Sequence, residues 1–203
     1  MRTSGSPTVQ TLTVFAVVFS LQSLVGLVAP TVAIGLFALA PPLTTHPWTL
    51  PLSVYAHASV PHLLSNSVAL LFVGMLVERV TTTLRFHAFF ASVGMAAGVS
   101  QVLLGDLFGP PTAVLGASGA VFGLFGYLLA GNLVTDAVLG RVELSPGVQV
   151  ALVAAFALAV TATTAAPGVA LIAHFTGLAL GLVAGRLHIL RVETQGTNNR
   201  RPV

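Results

Sequence analysis

Long apolar stretches, separated by short polar or proline-containing breaks, divide the chain into six segments: 10–29, 61–80, 84–104, 115–132, 147–166 and 169–190. Each is close to the ~20 residues a helix needs to cross the hydrocarbon core of a bilayer. The pattern predicts an all-α, polytopic membrane protein with six transmembrane helices. The first segment is too long for a removable leader and lacks a convincing small-residue cleavage site, so it reads as an anchor. The connection 30–60 breaks the pattern, being apolar yet interrupted by Pro30, Pro41, Pro42, Pro47 and Pro51. Irregular backbone does not face lipid. Short helices in the membrane interface are therefore expected there, with Trp48 and Tyr55 at headgroup level. Residues 1–9 read as a short N-terminal segment, 10–192 as one membrane domain, and 193–203 as a polar, flexible tail.

Composition supports the membrane assignment. The chain of 203 residues is 55% hydrophobic and 6% charged, with a mean hydropathy of +0.96. A soluble domain carries roughly 25% charged residues, so this chain cannot cover a water-facing surface. Cysteine is absent, which excludes disulfides, thiolate metal sites and a cysteine nucleophile. The basic residues are Arg2, Arg79, Arg85, Arg141, Arg186, Arg191, Arg200 and Arg201. With six spans, all of them fall on the side of the N-terminus, which the positive-inside rule assigns to the cytoplasm. They sit at helix ends and build no basic patch, so a nucleic-acid partner is not expected despite a pI near 10.7. The absence of organelle-type targeting signals suits a prokaryotic plasma membrane.

Three even-numbered segments carry polar side chains near the same face. The second starts at Pro61 and holds His62 and Asn66, four residues apart and so on one side of a helix. The fourth holds Ser118 in its first turn, within Gly116-Ala117-Ser118-Gly119; the sixth holds His174, read as two turns in from Gly168. Isolated polar residues in lipid are costly and turn toward a bundle interior or a wet cavity. Gly119, Gly123 and Gly126, and Gly177, Gly181 and Gly185, are spaced for close approach of the fourth and sixth helices. That approach would bring Ser118 near His174.

Each residue taken singly has an ordinary reading. A serine beside glycine and alanine is a common helix-packing residue, and no strand precedes it to form a hydrolase elbow. A lone His174 donates to a backbone carbonyl; His62 and Asn66 link helices by hydrogen bonds; His57 faces water at the interface. His87 and His188 read as interfacial. The acids are Glu78, Asp106, Asp136, Glu143 and Glu193. The topology puts only Asp106 on the side of the polar cluster, in a loop, so a Ser–His dyad is favoured over a triad. The functional reading rests on coincidence of depth and side.

These residues resemble the rhomboid intramembrane serine proteases. The match comprises His62-Leu63-Leu64-Ser65-Asn66, Gly116-Ala117-Ser118-Gly119, and His174-Phe175-Thr176-Gly177 followed by Gly181. His57, five residues before His62, and Trp48 in the first loop also fit, and the resemblance covers roughly residues 46–185. It implies Ser118 as nucleophile and His174 as general base. The Ser118 backbone N–H, Asn66 and His62 would form the oxyanion hole, with Phe122 packing on the catalytic imidazole. It further implies the fifth helix as a lateral gate and the loop before the sixth as a cap. Thr49 stands where relatives often carry Arg, and Phe122 where some carry Tyr.

The activity so implied is cleavage of transmembrane helices of other membrane proteins near the outer face, through an acyl-enzyme. No cofactor and no metal are expected, and the partners are the lipid bilayer and transmembrane substrates. Water must reach Ser118, so a wet cavity is expected beneath the 30–60 and 167–168 connections. A substrate helix must unwind for cleavage, which favours helix-breaking or small residues near its outer end. Three rivals are a zinc site of His57, His62 and His174, a non-proteolytic binder of membrane helices on the same fold, and a transporter. No HExxH pair, internal repeat or mid-membrane charge pair speaks for the first or third.

Overall fold

The computed structural model describes residues 5–105, 113–131 and 169–192, and isolated positions between 148 and 161. The described part is helical: α1 (Pro7–Val28), α2 (Pro30–Phe37), α3 (Thr49–Leu52), α4 (Val60–Val77), α5 (Thr83–Gly105), α6 (Ser118–Ala130) and α7 (Leu171–Arg186). Helices α1, α4 and α5 are each long and apolar enough to cross a membrane, while α6 and α7 are shorter apolar helices. Five of the six expected spans thus have a helical counterpart. The fifth, 147–166, falls almost wholly outside the described residues, as do the tail 193–203 and Asp106.

Helix starts follow local chemistry. Helices α1, α2 and α4 have proline in the first turn, where its missing N–H is no loss. Ser6 and Ser59 cap α1 and α4 with their hydroxyls, accepting from the N–H groups of Val9 and His62. Helix α1 is also tied to the far end of α4. The Glu78 carboxylate accepts from the Ser6 hydroxyl at 2.6 Å and the Thr8 N–H at 3.2 Å. Partial burial pushes that carboxyl up, but these two bonds and the charge of Arg79 outweigh it and hold it below its ordinary range.

Packing alternates in direction. Thr11 and Phe15 of α1 meet His87 and Phe90 of α5, so these two helices run parallel. Thr8 meets Gly74 and Glu78, so α4 runs against α1. Ala97 and Val93 of α5 meet Gly119 and Gly123 of α6, again antiparallel. Helices α6 and α7 run parallel and make the tightest contact. A Cβ on Gly177 would strike the Gly119 carbonyl oxygen, and one on Gly181 would strike that of Gly123. Backbone therefore lies on backbone along this seam, as small-residue spacing permits in membranes. Phe15, Leu70, Phe86, Phe90 and Leu124 fill the interior with no exposed surface. The outer faces of α1 and α4 expose Leu24, Leu27, Leu64 and Phe72 instead, as lipid-facing surfaces do.

The connection between α1 and α4 folds back over one end of the bundle. It holds the short α2 and α3, as expected. Leu39 exchanges both backbone bonds with Val114, each 2.8 Å, and Gly116 N–H donates to Ser53 O at 2.9 Å. This loop pins the extended segment that leads into α6. Trp48 is exposed, edge-on to His46. Tyr55 departs from expectation. It is half-buried and packs against Phe15 and Phe90, because the loop turns inward between Ser53 and His57. Thr49 is buried and donates its hydroxyl to the His46 carbonyl at 2.6 Å, a local turn bond in place of a long basic side chain.

Candidate active site

At the end of the bundle where α4, α6 and α7 begin, three helix starts converge. Ser118 is the first residue of α6, and Ala117 before it supplies no side-chain cap. The N–H groups of Ser118, Gly119 and Ala120 therefore have no partner within the helix, and they form its positive end. His174 is the fourth residue of α7 and is buried. It lies in the first turn rather than two turns in, because α7 starts at Leu171 and not near Gly168. Its Nε2 stands 2.9 Å from the Ser118 hydroxyl oxygen. Phe122, one turn after Ser118, stacks on the His174 ring with centroids 4.5 Å apart and planes at 26°. The stacked Phe122 face opposes turning of the imidazole about its Cβ–Cγ bond, which would tilt the ring out of this plane.

α4 forms the facing wall. Asn66 is buried, and its amide donates to the His62 carbonyl at 3.1 Å. A carboxamide has two N–H donors, so one remains for another acceptor. His62 Nδ1 accepts from the Ala58 N–H at 3.4 Å. Its proton in the neutral ring therefore sits on Nε2, which is then a donor. Gly116 makes room for that ring. Its φ is +131°, and a Cβ there would lie 2.7 Å from His62 Cε1 and 2.8 Å from Nε2. Both the backbone angle and the space demand glycine.

A cavity of about 520 Å³ opens between these walls, with His62, Asn66, Ser118, Phe122 and His174 among its lining residues. Val169 and Ala170, just before α7, close one side. The volume falls within the range of small-ligand clefts.

His57 is a correction. It is fully buried rather than water-facing. Its backbone N–H donates to Gln22 Oε1 of α1 at 3.1 Å, and its Nδ1 lies 3.1 Å from the Tyr55 carbonyl. Its ring meets Phe15 and His62 edge-on at 4.8 Å and 5.2 Å. Desolvation, with the neighbouring His62, lowers His57 to about 4 against the opposing effect of the Tyr55 carbonyl. His57 thus supports His62 from behind. Among the described residues no group of three His, Cys, Asp or Glu is placed to hold a metal ion. The one described carboxylate, Glu78, belongs to the opposite end of the bundle.

Two side chains that the sequence reading passed over belong to this end. Gln22 holds His57, and Gln101 of α5 accepts from the Ile172 and Ala173 N–H groups at 3.0 and 3.2 Å. Both are lone amides near the end of an apolar span. The cost of burying an unpaired polar group, already used for His62 and Asn66, marks them equally.

The rhomboid domain family matches residues 44–191. RHOMBOID-like protein 1 of Arabidopsis thaliana is 29% identical over 153 residues, 75% of this chain and 37% of its own length. Rhomboid-type serine protease 2 of Saccharomyces cerevisiae is 34% identical over 139 residues, 66% of this chain and 52% of its own. The putative rhomboid protease YdcA of Bacillus subtilis is 27% identical over 146 residues, 72% of this chain and 69% of its own. The chain thus spans little more than a third of the plant relative's length.

Proposed function

Because this chain belongs to the rhomboid family, we propose that it is an intramembrane serine endopeptidase that cuts transmembrane helices with a Ser118–His174 dyad. The observation that carries this reading is the 2.9 Å contact between Ser118 Oγ and His174 Nε2 at the wall of a cavity that His62 and Asn66 also line. With Nε2 unprotonated, the imidazole accepts the Ser118 proton as the oxygen attacks a substrate carbonyl carbon. The carbonyl oxygen takes the charge, and the Ser118 N–H, the spare Asn66 N–H and the His62 Nε2–H are the donors that receive it. His174 then protonates the leaving amine, and an acyl-Ser118 ester remains. Water, deprotonated by the same imidazole, attacks the ester and restores the hydroxyl.

The substrate reading follows from the same geometry. A cavity bounded by helix starts admits an extended segment, not an intact helix with its carbonyls bonded internally. Substrates with small or helix-breaking residues near the end of their span should therefore be cut fastest. The one-sided arginines support cytoplasmic termini and a site opening to the outside. A fluorophosphonate probe on the purified protein in liposomes tests the dyad. Wild type should be labelled at Ser118, and folded Ser118→Ala and His174→Ala should not be. Labelling that survives in either variant refutes the assignment.

A further inference from the structure

Helix α7 begins without a capping side chain of its own. Its N-cap is Ala170, which offers no side-chain acceptor, whereas α1 and α4 start on serine hydroxyls. The first-turn N–H groups of any helix lack intrahelical partners. In an apolar surrounding that is a destabilising place to begin. The Leu171 N–H bonds back to Val169 O at 3.0 Å, and a single side-chain atom takes the other two. Gln101 Oε1, four residues before the end of α5, accepts from Ile172 N–H at 3.0 Å and from Ala173 N–H at 3.2 Å. His174 is the next residue, and its own N–H makes an intrahelical bond to Ala170 O at 3.1 Å.

We infer that Gln101 is a positioning residue for His174, acting as the N-terminal cap of α7 from the neighbouring helix. This rests on the reading of Ser118 and His174 as the catalytic pair. The base stands in the one turn of α7 that intrahelical bonds hold least. With the cap in place, the height and rotation of that turn are set against α5. Helix α5 is itself packed on α6 beside the nucleophile, where Ala97 meets Gly119. Gln101 thus closes a triangle: α5 to α6 by packing, α5 to α7 by the amide oxygen, and α6 to α7 by the Ser–His bond. Loss of the amide oxygen frees the first turn of α7, and the imidazole moves with it. Glu78 caps α1 across helices in the same way, but α1 has Ser6 as well. Among the described residues, Gln101 is the side-chain acceptor at the start of α7.

The test compares wild type, Gln101→Leu and Gln101→Glu, each as the full chain in liposomes. Leucine keeps bulk and removes the acceptor, whereas glutamate keeps an oxygen at the same reach. Amide hydrogen exchange at Ile172 and Ala173 reads the cap directly. Exchange there should quicken by about tenfold or more in Gln101→Leu and stay protected in Gln101→Glu. Cleavage of a transmembrane substrate should lose between about tenfold and 10²-fold in kcat, with KM little changed, in Gln101→Leu. Gln101→Glu should return to within about threefold of wild type, since its oxygen can still cap the helix. A purely space-filling Gln101 would give the reverse order, with leucine tolerated and the acidic residue damaging. That order, or unchanged exchange in Gln101→Leu, overturns the inference. If a fluorophosphonate fails to label Ser118 in wild type, the proteolytic reading falls and the positioning role falls with it. The exchange data then still report whether the cap exists.

Discussion

A single methyl group at Gly177 tests how the seam between α6 and α7 serves the chemistry. A Cβ at Gly177 would fall on the Gly119 carbonyl oxygen, 2.8 Å from the carbonyl carbon and 3.1 Å from Cα. Ordinary contact between carbon atoms begins near 3.5 Å. Restoring it at the carbonyl carbon alone means parting the helices by about 0.7 Å, and the closer oxygen asks for more. Gly119 follows Ser118 directly, and Gly177 lies one turn beyond His174. The separation therefore passes to the Ser118–His174 contact. Adding about 0.7 Å to its 2.9 Å takes it beyond hydrogen-bond length. A misplacement of about 1 Å costs on the order of 10²-fold in rate. Overpacking a seam of this kind costs about 1–3 kcal/mol of stability. Gly177→Ala should therefore fold, unfold several degrees lower, and cleave about 10²-fold more slowly with an unaltered KM. The assay is substrate cleavage in liposomes beside thermal unfolding. Gly35→Ala is the control, since a Cβ there meets no atom within 4 Å. Wild-type cleavage by Gly177→Ala would refute the argument that backbone contact sets the catalytic distance.

Three further outcomes follow from the site. On the proposed mechanism Asn66→Ala removes one oxyanion donor and should lower kcat by about 10²–10³-fold with folding retained; unchanged kinetics would take Asn66 out of that role. Gly116→Ala meets both a left-handed backbone angle and the His62 ring. It should cost about 1–3 kcal/mol in unfolding experiments, and fluorophosphonate labelling should fall further than in a variant of equal stability elsewhere. His57 prefers its neutral form in the folded protein, with a pKa near 4 against an ordinary 6.5. The unfolded chain then binds more protons between these values, so His57's contribution is complete above about pH 6.5 and declines toward pH 4. Thermal unfolding across that range should show the decline in wild type and a weaker one in His57→Phe. Equal pH dependence in the two proteins would remove His57 as its source.

Much of this was legible in the sequence because lipid leaves few options. Apolar runs of membrane length predict α1, α4, α5, α6 and α7 to within about five residues of their ends, since each must satisfy its own backbone bonds. The juxtaposition of Ser118 with His174 was legible for a related reason. Buried polar groups seek one another, and glycines at four-residue spacing show which helices can meet. Where the reading departs from the structure, the deciding contact comes from another helix. Nothing near residue 170 announces the start of α7. Ala170 is no capping residue, Gly168 suggests an earlier start, and the acceptor that sets the boundary is Gln101, far away in the chain. His57 reads as water-facing because it stands in a proline-broken connection. Gln22 and Phe15 of α1 draw it inside.

The departures at His57 and at the start of α7 concern the polar end of the bundle, and they share a physical cause. Four-residue periodicity reports which faces of helices are apolar, and so it reports lateral packing well. It carries no information about the axial position of one helix against its neighbours. In water that position can be set by local caps, because solvent receives whatever the cap leaves over. In lipid the leftover N–H groups need protein partners; Gln101 supplies one for the start of α7, and Gln22 does the same for the loop N–H of His57. Axial register is also the coordinate that the Ser–His distance depends on. With a rise of about 1.5 Å per residue, a slide of α7 by two residues would carry the imidazole about 3 Å along the bundle and out of hydrogen-bond reach of Ser118. The same lone amides in apolar spans are therefore what a sequence reading should seek once a nucleophile and a base have been placed on different helices.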